Sequence, residues 1–527
     1  MREIIAGTPD ALLPPAAREL AAWLAATLPA GAALRGDSRQ VRPGDAFFAV
    51  PGTLADGRRF VGDALARGAG AVLAEAGDRG PEVATGAVPV RAVAGLRALA
   101  GAIAAEFHGR PSERMHTVAV TGTNGKTSTT QWVAQGAAAM GRLAAVIGTL
   151  GSGVVGQPLA AGLTTPDALE LQALLGGFAG AGVELVAAEA SSIGLEQGRL
   201  NGTRIDVAAF TNLTRDHLDY HGTMDAYAAA KARLFAWPGL RAAVVNGDDA
   251  LATRMLRELP AADGGPTTRV IYGFSPGQYG ARGDAVLIAE RVVDTGSGLV
   301  VTLGGDFGRA EMRLGLLGRF NASNALAVAG CWLALGFEFD VVAQALQTLA
   351  PVPGRMQRIE RDGHPLVVVD YAHSPDALAS VLAALRPVAM GRGGRLWCVF
   401  GAGGERDSGK RPMMGLVAER NADVLVITSD NPRGESPFRI VSDIRAGLSR
   451  EPSLTELDRG AAIRAAIARA EPGDVVLVAG KGHEPYQEVG GVRLPFSDAD
   501  SAIAALEARP RGAERFAVGE PPEAGDA

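Results

Sequence analysis

Short apolar runs, each closed by a polar or glycine-bearing turn and followed by an alanine-rich stretch, set the rhythm of this chain. Up to about residue 110, the runs Ala46–Val50, Ala71–Ala74 and Val88–Val90 predict short strands among helices. His108-Gly-Arg-Pro-Ser112 breaks the pattern and reads as a linker. Strands resume at His116–Val120, Leu143–Ile147, Val183–Ala188, Val207–Thr211 and Ala242–Asn246. Between Val270 and Leu314 the helical signal fades, which predicts an antiparallel insert, and a helix over Asn321–Ala334 with a shorter one after it closes the block. Pro351-Val-Pro-Gly354 is a second linker, followed by strands at Leu366–Asp370, Leu396–Phe400, Val424–Thr428 and Val475–Ala479.

Strand–helix alternation of this kind predicts an α/β protein with mostly parallel sheets covered by helices. The two linkers divide it into domains at 1–111, 112–350 and 351–508. Residues 509–527, rich in Pro, Gly and Glu, are expected to be disordered. Ligand crevices are expected at the carboxyl ends of the strands.

Composition narrows the classes. Apolar residues make up 47% and charged residues 20% of the 527, ample for buried cores. The 70 glycines are dispersed, which excludes a collagen-like or linker-like chain. A formal charge of −6 gives no electrostatic reason to expect binding to nucleic acid or a membrane surface, so an anionic ligand must be met locally. Cys331 and Cys398 each lie inside an apolar run and read as packing residues. The N-terminus lacks the layout of a secretory signal, and the longest apolar stretch, Ala325–Phe337, is too short to span a bilayer. A cytoplasmic location is the default expectation.

The most informative stretch is His116-Thr-Val-Ala-Val-Thr-Gly-Thr-Asn-Gly-Lys-Thr-Ser128. A strand, a glycine loop and a helix in that order surround an anion with backbone N–H groups and a positive helix end. Gly122 and Gly125 keep side chains away from the phosphates, Lys126 neutralises charge, and the Thr127 hydroxyl is placed for Mg²⁺. We read it as a nucleotide triphosphate site; the alternative is a glycine turn that happens to contain Gly-Lys-Thr.

Two further loops follow strands. Glu189, just past Val183–Ala188, suits Mg²⁺ binding, against the plainer reading of a solvated loop carboxylate. Thr211-Asn-Leu-Thr-Arg-Asp-His217-Leu-Asp-Tyr-His221 sets two histidines among carboxylates, so His217 is either a metal ligand or part of polar loop packing. By residue type alone Lys231, in the helical stretch Met224–Phe235, reads as a solvated charge.

In order along the chain, Ser38-Arg39, Pro43-Gly-Asp-Ala-Phe-Phe-Ala-Val-Pro-Gly52, the phosphate loop, Thr164-Thr-Pro-Asp167, Glu189-Ala-Ser-Ser192, Asn212-Leu-Thr-Arg-Asp-His-Leu-Asp219, Lys231, Gly318-Arg-Phe-Asn321, Asp370-Tyr-Ala-His-Ser-Pro375 and Gly480-Lys-Gly-His-Glu484 resemble the Mur ligases. The resemblance runs from about residue 35 to 490 and is strongest to the members that add meso-diaminopimelate to UDP-N-acetylmuramoyl-L-alanyl-D-glutamate (UDP-MurNAc-L-Ala-D-Glu).

That resemblance implies a small UDP-binding N-terminal domain, a central phosphate-loop ATPase domain and a Rossmann-like C-terminal domain that binds the amino acid. It implies a monomeric, cytoplasmic, ATP- and Mg²⁺-dependent ligase of peptidoglycan precursor synthesis. Ser38, Thr164, Thr165, Ser191, Gln197 and Arg199 match positions that hold the UDP-muramoyl dipeptide. Gly122, Thr123, Asn124, Gly125, Lys126, Thr127, Ser128, Asn321 and Arg355 match ATP positions. Lys126, Glu189, His217 and Lys231 match catalytic positions, and Thr127, Glu189 and His217 match Mg²⁺ positions. Lys231 matches a lysine that is carbamylated in the family (N6-carboxylysine), which turns a cation into an anionic group beside a metal. Many relatives carry His after the Ser-Ser pair, where Ile193 stands here.

Arg406, Asp430, Asn431, Arg433, Gly480 and Glu484 match amino-acid contacts. Asp430-Asn-Pro-Arg433 resembles the diaminopimelate-selecting motif, and relatives that add lysine lack the arginine. A guanidinium grips the second carboxylate of diaminopimelate through paired N–H bonds, and lysine leaves it without that partner. The alternatives are a lysine-adding relative, a folylpolyglutamate synthetase-like ligase, or a nucleotide-binding scaffold without chemistry.

Overall fold

His116–Thr121 is buried along its whole length and lies in the interior of the molecule's largest sheet. Its neighbours Leu185–Glu189 and Val207–Phe210 run parallel to it and are equally buried. An apolar run without polar alternation is what a strand covered on both faces requires. The computed structural model describes residues 12–52, 55–77, 88–157, 159–251, 268–275 and 284–509. Beyond Arg509, the expected tail lies outside these.

The chain divides after Ala350 into two units. The first holds two sheets. Leu34–Arg35, Ala46–Ala49, Ala71–Glu75 and Val90–Val93 form a four-stranded parallel sheet in that order. The strand expected at Val88–Val90 thus begins later, after Pro89, which has no N–H to give a ladder.

The larger sheet has ten strands. Read across, they are Ala310–Leu314, Leu299–Gly305, Ala285–Asp294, Thr268–Gly273, Ala242–Asn246, Val207–Phe210, His116–Thr121, Leu185–Glu189, Ala144–Gly148 and Gly151–Val154. The region expected as an antiparallel insert does hold antiparallel strands, and they form one edge of this sheet rather than a separate insert. Thr268–Gly273 pairs in parallel with strands on both sides, and the three strands before Arg319 alternate in direction, as do Ala144–Gly148 and Gly151–Val154 at the opposite edge.

Helices Lys126–Ala139 and Arg319–Ala334 pack at close range. Trp332 donates to the Val133 carbonyl at 3.1 Å, and a Cβ on Gly136 would lie 2.1 Å from the Trp332 ring. The N-terminal part shares one apolar core with the large sheet, running from Leu24 and Phe48 through Ile103 to Ala119 and Leu175. Backbone contact fixes the join: a Cβ on Gly101 would sit 2.0 Å from the Asn201 carbonyl oxygen.

The second unit carries a six-stranded sheet in the order Gln357–Ile359, Leu366–Asp370, Val475–Ala479, Leu396–Phe400, Val424–Ile427 and Leu454–Thr455. All pairs are parallel except the first. Helices including Pro375–Gly391, Lys410–Asn421 and Arg459–Arg469 accompany it, and a hairpin joins Tyr486–Val489 to Val492–Pro495. Among the described residues no helix is long and apolar enough to cross a membrane. Cys331 and Cys398 are buried and free, and burial raises both thiol pKa values.

Candidate active site

In a parallel sheet every strand delivers its following loop to the same edge. In the first unit that edge receives Gly122–Gly125, Ala190–Ser191 and Thr211–His217 from three adjacent strands. Gly122 has φ +146° and Gly125 φ +85°, backbone states that side chains resist. A Cβ at Gly122 would meet Thr211 Oγ1 at 1.9 Å, and one at Gly125 would meet Asn324 Oδ1 at 2.4 Å.

The loop is locked to its neighbour. Asn124 N–H donates to Asn212 Oδ1 at 2.9 Å, and Thr211 Oγ1 donates to the Asn124 carbonyl at 2.6 Å. Thr123 Oγ1 lies 3.1 Å from the Tyr227 hydroxyl and accepts from Thr214 N–H at 3.0 Å. The helix Lys126–Ala139 starts at the loop, so its first N–H groups face the same space, with Thr127 and Ser128 buried in its first turn.

Lys126 Nζ folds back to the carbonyls of Gly122 and Thr123, 2.9 Å from each. Lys231, which residue type alone made a solvated charge, is wholly buried on the helix Met224–Ala232. Its Nζ donates to Gly122 O at 2.7 Å and lies 4.1 Å from the centre of the Tyr227 ring. Burial above all, and then the Lys126 charge, hold its pKa well below that of an ordinary lysine, against the opposing pull of Asp216.

Glu189 ends its strand buried and well partnered. Its carboxylate accepts Thr149 N–H at 2.8 Å and Thr149 Oγ1 at 3.1 Å, and Thr149 Oγ1 lies 3.1 Å from Thr164 Oγ1. Thr165 Oγ1 donates to the Glu189 carbonyl at 2.7 Å and sits 3.0 Å from Ser191 Oγ, which caps the helix Ser192–Glu196. Arg199 donates to Thr165 O at 2.8 Å and also to Gln197 Oε1. The structure therefore brings Thr164, Thr165, Ser191, Gln197 and Arg199 into one network beside Glu189.

His217 has φ +53° and a half-exposed ring 3.6 Å from Asp216 Oδ2. His221, one turn on, turns inward: Nε2 lies 2.9 Å from Ser192 Oγ and Nδ1 3.4 Å from Glu196 Oε2. Asn321 is buried, and its Oδ1 accepts from Asn324 Nδ2 at 3.2 Å. Ser38 lies apart from these loops, buried in the 3-10 turn Ser38–Gln40 of the four-stranded part. Among the described residues no group of three His, Cys, Asp or Glu side chains has the spacing of a metal site.

In the second unit, the residues expected to contact an amino acid lie on loops at the carboxyl ends of the strands. Asn431 Nδ2 donates to Glu484 Oε2 at 2.8 Å, and Gly480 N–H donates to Asp370 O at 3.0 Å. Asp430 Oδ1 accepts Asn431 N–H at 2.6 Å. Arg433 has φ +54° and donates to the Gly404 carbonyl at 2.7 Å, with Nε 3.7 Å from Glu488 Oε2. Arg406 is exposed on the loop after Leu396–Phe400. Arg355 stacks 4.4 Å over the Tyr371 ring. Burial raises the pKa of Asp370, opposed by Arg355 and by N–H bonds from Met356 and Ala372.

Three residues beside these sets escaped the sequence reading. Asn324 stands one helical turn after Asn321, a spacing that alone places both on one face. Tyr227 is apolar by pattern and reads as core. Lys481 lies inside the Gly-Lys-Gly-His-Glu stretch, and its Nζ is 2.9 Å from both Asn431 Oδ1 and Glu484 Oε2.

A phosphate loop on a largely parallel sheet, joined to a second open α/β unit, marks a nucleotide-binding protein. The chain belongs to the Mur ligase family: residues 33–108 match the Mur ligase family catalytic domain, 120–332 the Mur ligase middle domain and 354–482 the Mur ligase glutamate ligase domain. The UDP-N-acetylmuramoyl-L-alanyl-D-glutamate–2,6-diaminopimelate ligase of Acidovorax sp. strain JS42 is 49% identical over 90% of this chain and 94% of its own. The Pseudomonas aeruginosa ligase of the same name is 49% identical over the same shares of each chain. A solved structure of a ligase of this name superposes with TM-score 0.63 at 37% identity, covering 90% of this chain and 94% of that one. MurF of Thermotoga maritima, solved with ADP, shares the fold at TM-score 0.63 and 18% identity, over 90% of this chain and 97% of its own.

Proposed function

We propose that this protein is the ATP-dependent ligase that joins meso-diaminopimelate to UDP-MurNAc-L-Ala-D-Glu, through a γ-glutamyl phosphate, in cytoplasmic peptidoglycan precursor synthesis. The observation that carries this reading is the Asp430–Arg433 loop, placed at the strand ends with Glu484, in a chain 49% identical to ligases of that name.

A carboxylate does not accept an amine directly, because its charge repels the nucleophile and oxide is too poor a leaving group. Transfer of the γ-phosphoryl group of ATP to the D-glutamyl γ-carboxylate gives ADP and an acyl phosphate. The diaminopimelate amine attacks the acyl carbon, phosphate leaves from the tetrahedral intermediate, and the nitrogen gives up a proton to leave an amide. The loop N–H groups and Lys126 meet the phosphate charge, with Lys126 exchanging its two carbonyl partners for phosphate oxygens. Asn321 and Arg355 serve the nucleotide. Ser38, Thr164, Thr165, Ser191, Gln197 and Arg199 hold the UDP-muramoyl dipeptide, and Arg406, Asp430, Asn431, Arg433, Gly480 and Glu484 hold diaminopimelate.

Magnesium suits the chemistry of Thr127, Glu189, His217 and a carbamylated Lys231, which offer hard oxygen donors and one imidazole. Bound there, it would neutralise phosphate charge. Burial lowers the Lys231 pKa and so favours the unprotonated amine, whose lone pair can add to CO₂, releasing one proton and leaving a carbamate anion. Domain boundaries follow the linkers, at 1–111, 112–350 and 351–508.

The test is ADP release by the purified protein with ATP, Mg²⁺ and UDP-MurNAc-L-Ala-D-Glu. Release is expected only when meso-diaminopimelate is added, with L-lysine a poor replacement. Equal rates with the two amino acids, or release that ignores both, would overturn the reading.

A further inference from the structure

We propose that Lys481 is the positioning residue of the diaminopimelate pocket, fixing which atoms of Asn431 and Glu484 face the amino acid. The inference rests on the ligase reading above and deepens it.

Lys481 has no exposed surface, a state a lysine rarely holds unless its charge is paired, as it is here with Glu484. Its ammonium donates to Asn431 Oδ1 and Glu484 Oε2, both at 2.9 Å. The first bond settles the amide. Asn431 Oδ1 already accepts Glu488 N–H at 2.9 Å, so Lys481 fills its second lone pair. Two donors on that atom identify it as the oxygen, and they prevent the amide from flipping.

With Oδ1 saturated, Asn431 presents only N–H groups. One goes to Glu484 Oε2 at 2.8 Å. Among the described residues the other has no protein acceptor. Glu484 Oε2 in turn takes two donors, Lys481 and Asn431, which turns the carboxylate so that Oε1 is the oxygen left over. A carboxyl oxygen beside an amide N–H is the complement of an α-amino acid head: the oxygen takes its ammonium and the N–H its carboxylate. Lys481 touches neither and orients both.

Removing the ammonium leaves the Asn431 amide free to rotate and Glu484 Oε2 short of a charged donor. A hydrogen bond to a charged group has an effect of roughly ten- to hundredfold on an equilibrium. Binding of diaminopimelate should fall by that factor. Nucleotide binding should not change, because the bonds of Lys481 go to Asn431 and Glu484, both assigned to the amino acid and neither to ATP.

The experiment is steady-state kinetics of Lys481→Met, which keeps the stem and removes the charge, beside the wild type. The expected result is a KM for meso-diaminopimelate raised about tenfold or more, with kcat and the KM values for ATP and the UDP-muramoyl dipeptide within threefold of wild type, as an estimate of ordinary scatter. An unchanged KM for diaminopimelate overturns the assignment, as does a uniform loss of kcat with no change in any KM. Should the Met variant not fold, Lys481→Gln, which restores one N–H donor, gives the same reading with a smaller rise. Wild-type protein that fails to use diaminopimelate refutes the ligase reading itself. Active wild type with an unaffected variant refutes only the role of Lys481.

Discussion

Lys126 and Lys231 donate to the same carbonyl oxygen, that of Gly122, at 2.9 and 2.7 Å. Two ammonium groups on one acceptor repel each other, and the one without solvent yields its proton more readily. That one is Lys231. Its lowered pKa means the unfolded chain binds a proton that the folded chain does not, from the folded value up to the ordinary lysine value of 10.5. Stability therefore rises with pH through that window. In carbonate-free buffer Lys231→Met should melt above the wild type at pH 7, with the gap closing as pH approaches 10.5, while activity is lost. Thermal melts across pH check this, and a Met variant that melts lower at pH 7 contradicts it.

Gly122→Ala tests the loop by shape alone. The added methyl carbon would overlap Thr211 Oγ1 at 1.9 Å, in a backbone state with φ +146°. Either the loop or the strand end carrying Thr211 must shift. A displacement of about 1 Å at a reacting group costs about a hundredfold in rate. Loss of at least that size in kcat/KM for ATP is expected, with weaker nucleotide binding by calorimetry. Near-normal turnover would show that the loop's close approach to Thr211 is not needed.

Most strands of both large sheets were legible because a strand covered on both faces needs an unbroken apolar run, and such runs stand out in sequence. Ala242–Asn246, Leu366–Asp370, Leu396–Phe400 and Val475–Ala479 fall where the pattern puts them. Direction was less legible. Nothing in Thr268–Gly273 says whether it pairs in parallel, because that depends on partners far along the chain. The phosphate loop declared itself through local glycine chemistry. Lys231 and Lys481 did not, since a lysine's burial depends on what packs around it, here Tyr227 and the Gly122 carbonyl for one, Asn431 and Glu484 for the other. Lys231 entered only through the family resemblance.

Acid stability has an identifiable contributor in the second unit. Hydrogen bonds from Arg411, helped by Glu405 N–H, lower the Glu435 carboxyl pKa to about 2. Its folded pKa lies below its unfolded value near 4.5, so its contribution is fully present above 4.5 and is lost as pH falls towards 2. Glu435→Gln should flatten the stability curve across that window and lower stability at pH 7. Denaturant melts at pH 7, 4 and 3 measure this. Parallel curves for the two proteins would remove Glu435 from the account.

On the proposed ligase reading, Arg433 is expected to decide between amino acids. Its left-handed backbone and the bond from its guanidinium to Gly404 O fix where the side chain starts and one of its donors, leaving other N–H groups for a ligand carboxylate. meso-Diaminopimelate brings that second carboxylate; lysine does not. Arg433→Ala should raise the KM for diaminopimelate by roughly ten- to hundredfold, the effect of a charged hydrogen bond. It should leave the KM for ATP unchanged and leave the poor rate with lysine no worse. Discrimination, the ratio of kcat/KM for the two amino acids, then falls by nearly the same factor. Kinetics with both amino acids on both proteins measures it. If Arg433→Ala loses activity with both amino acids equally, Arg433 holds its loop rather than the substrate, and the choice of amino acid must be made elsewhere in the second unit.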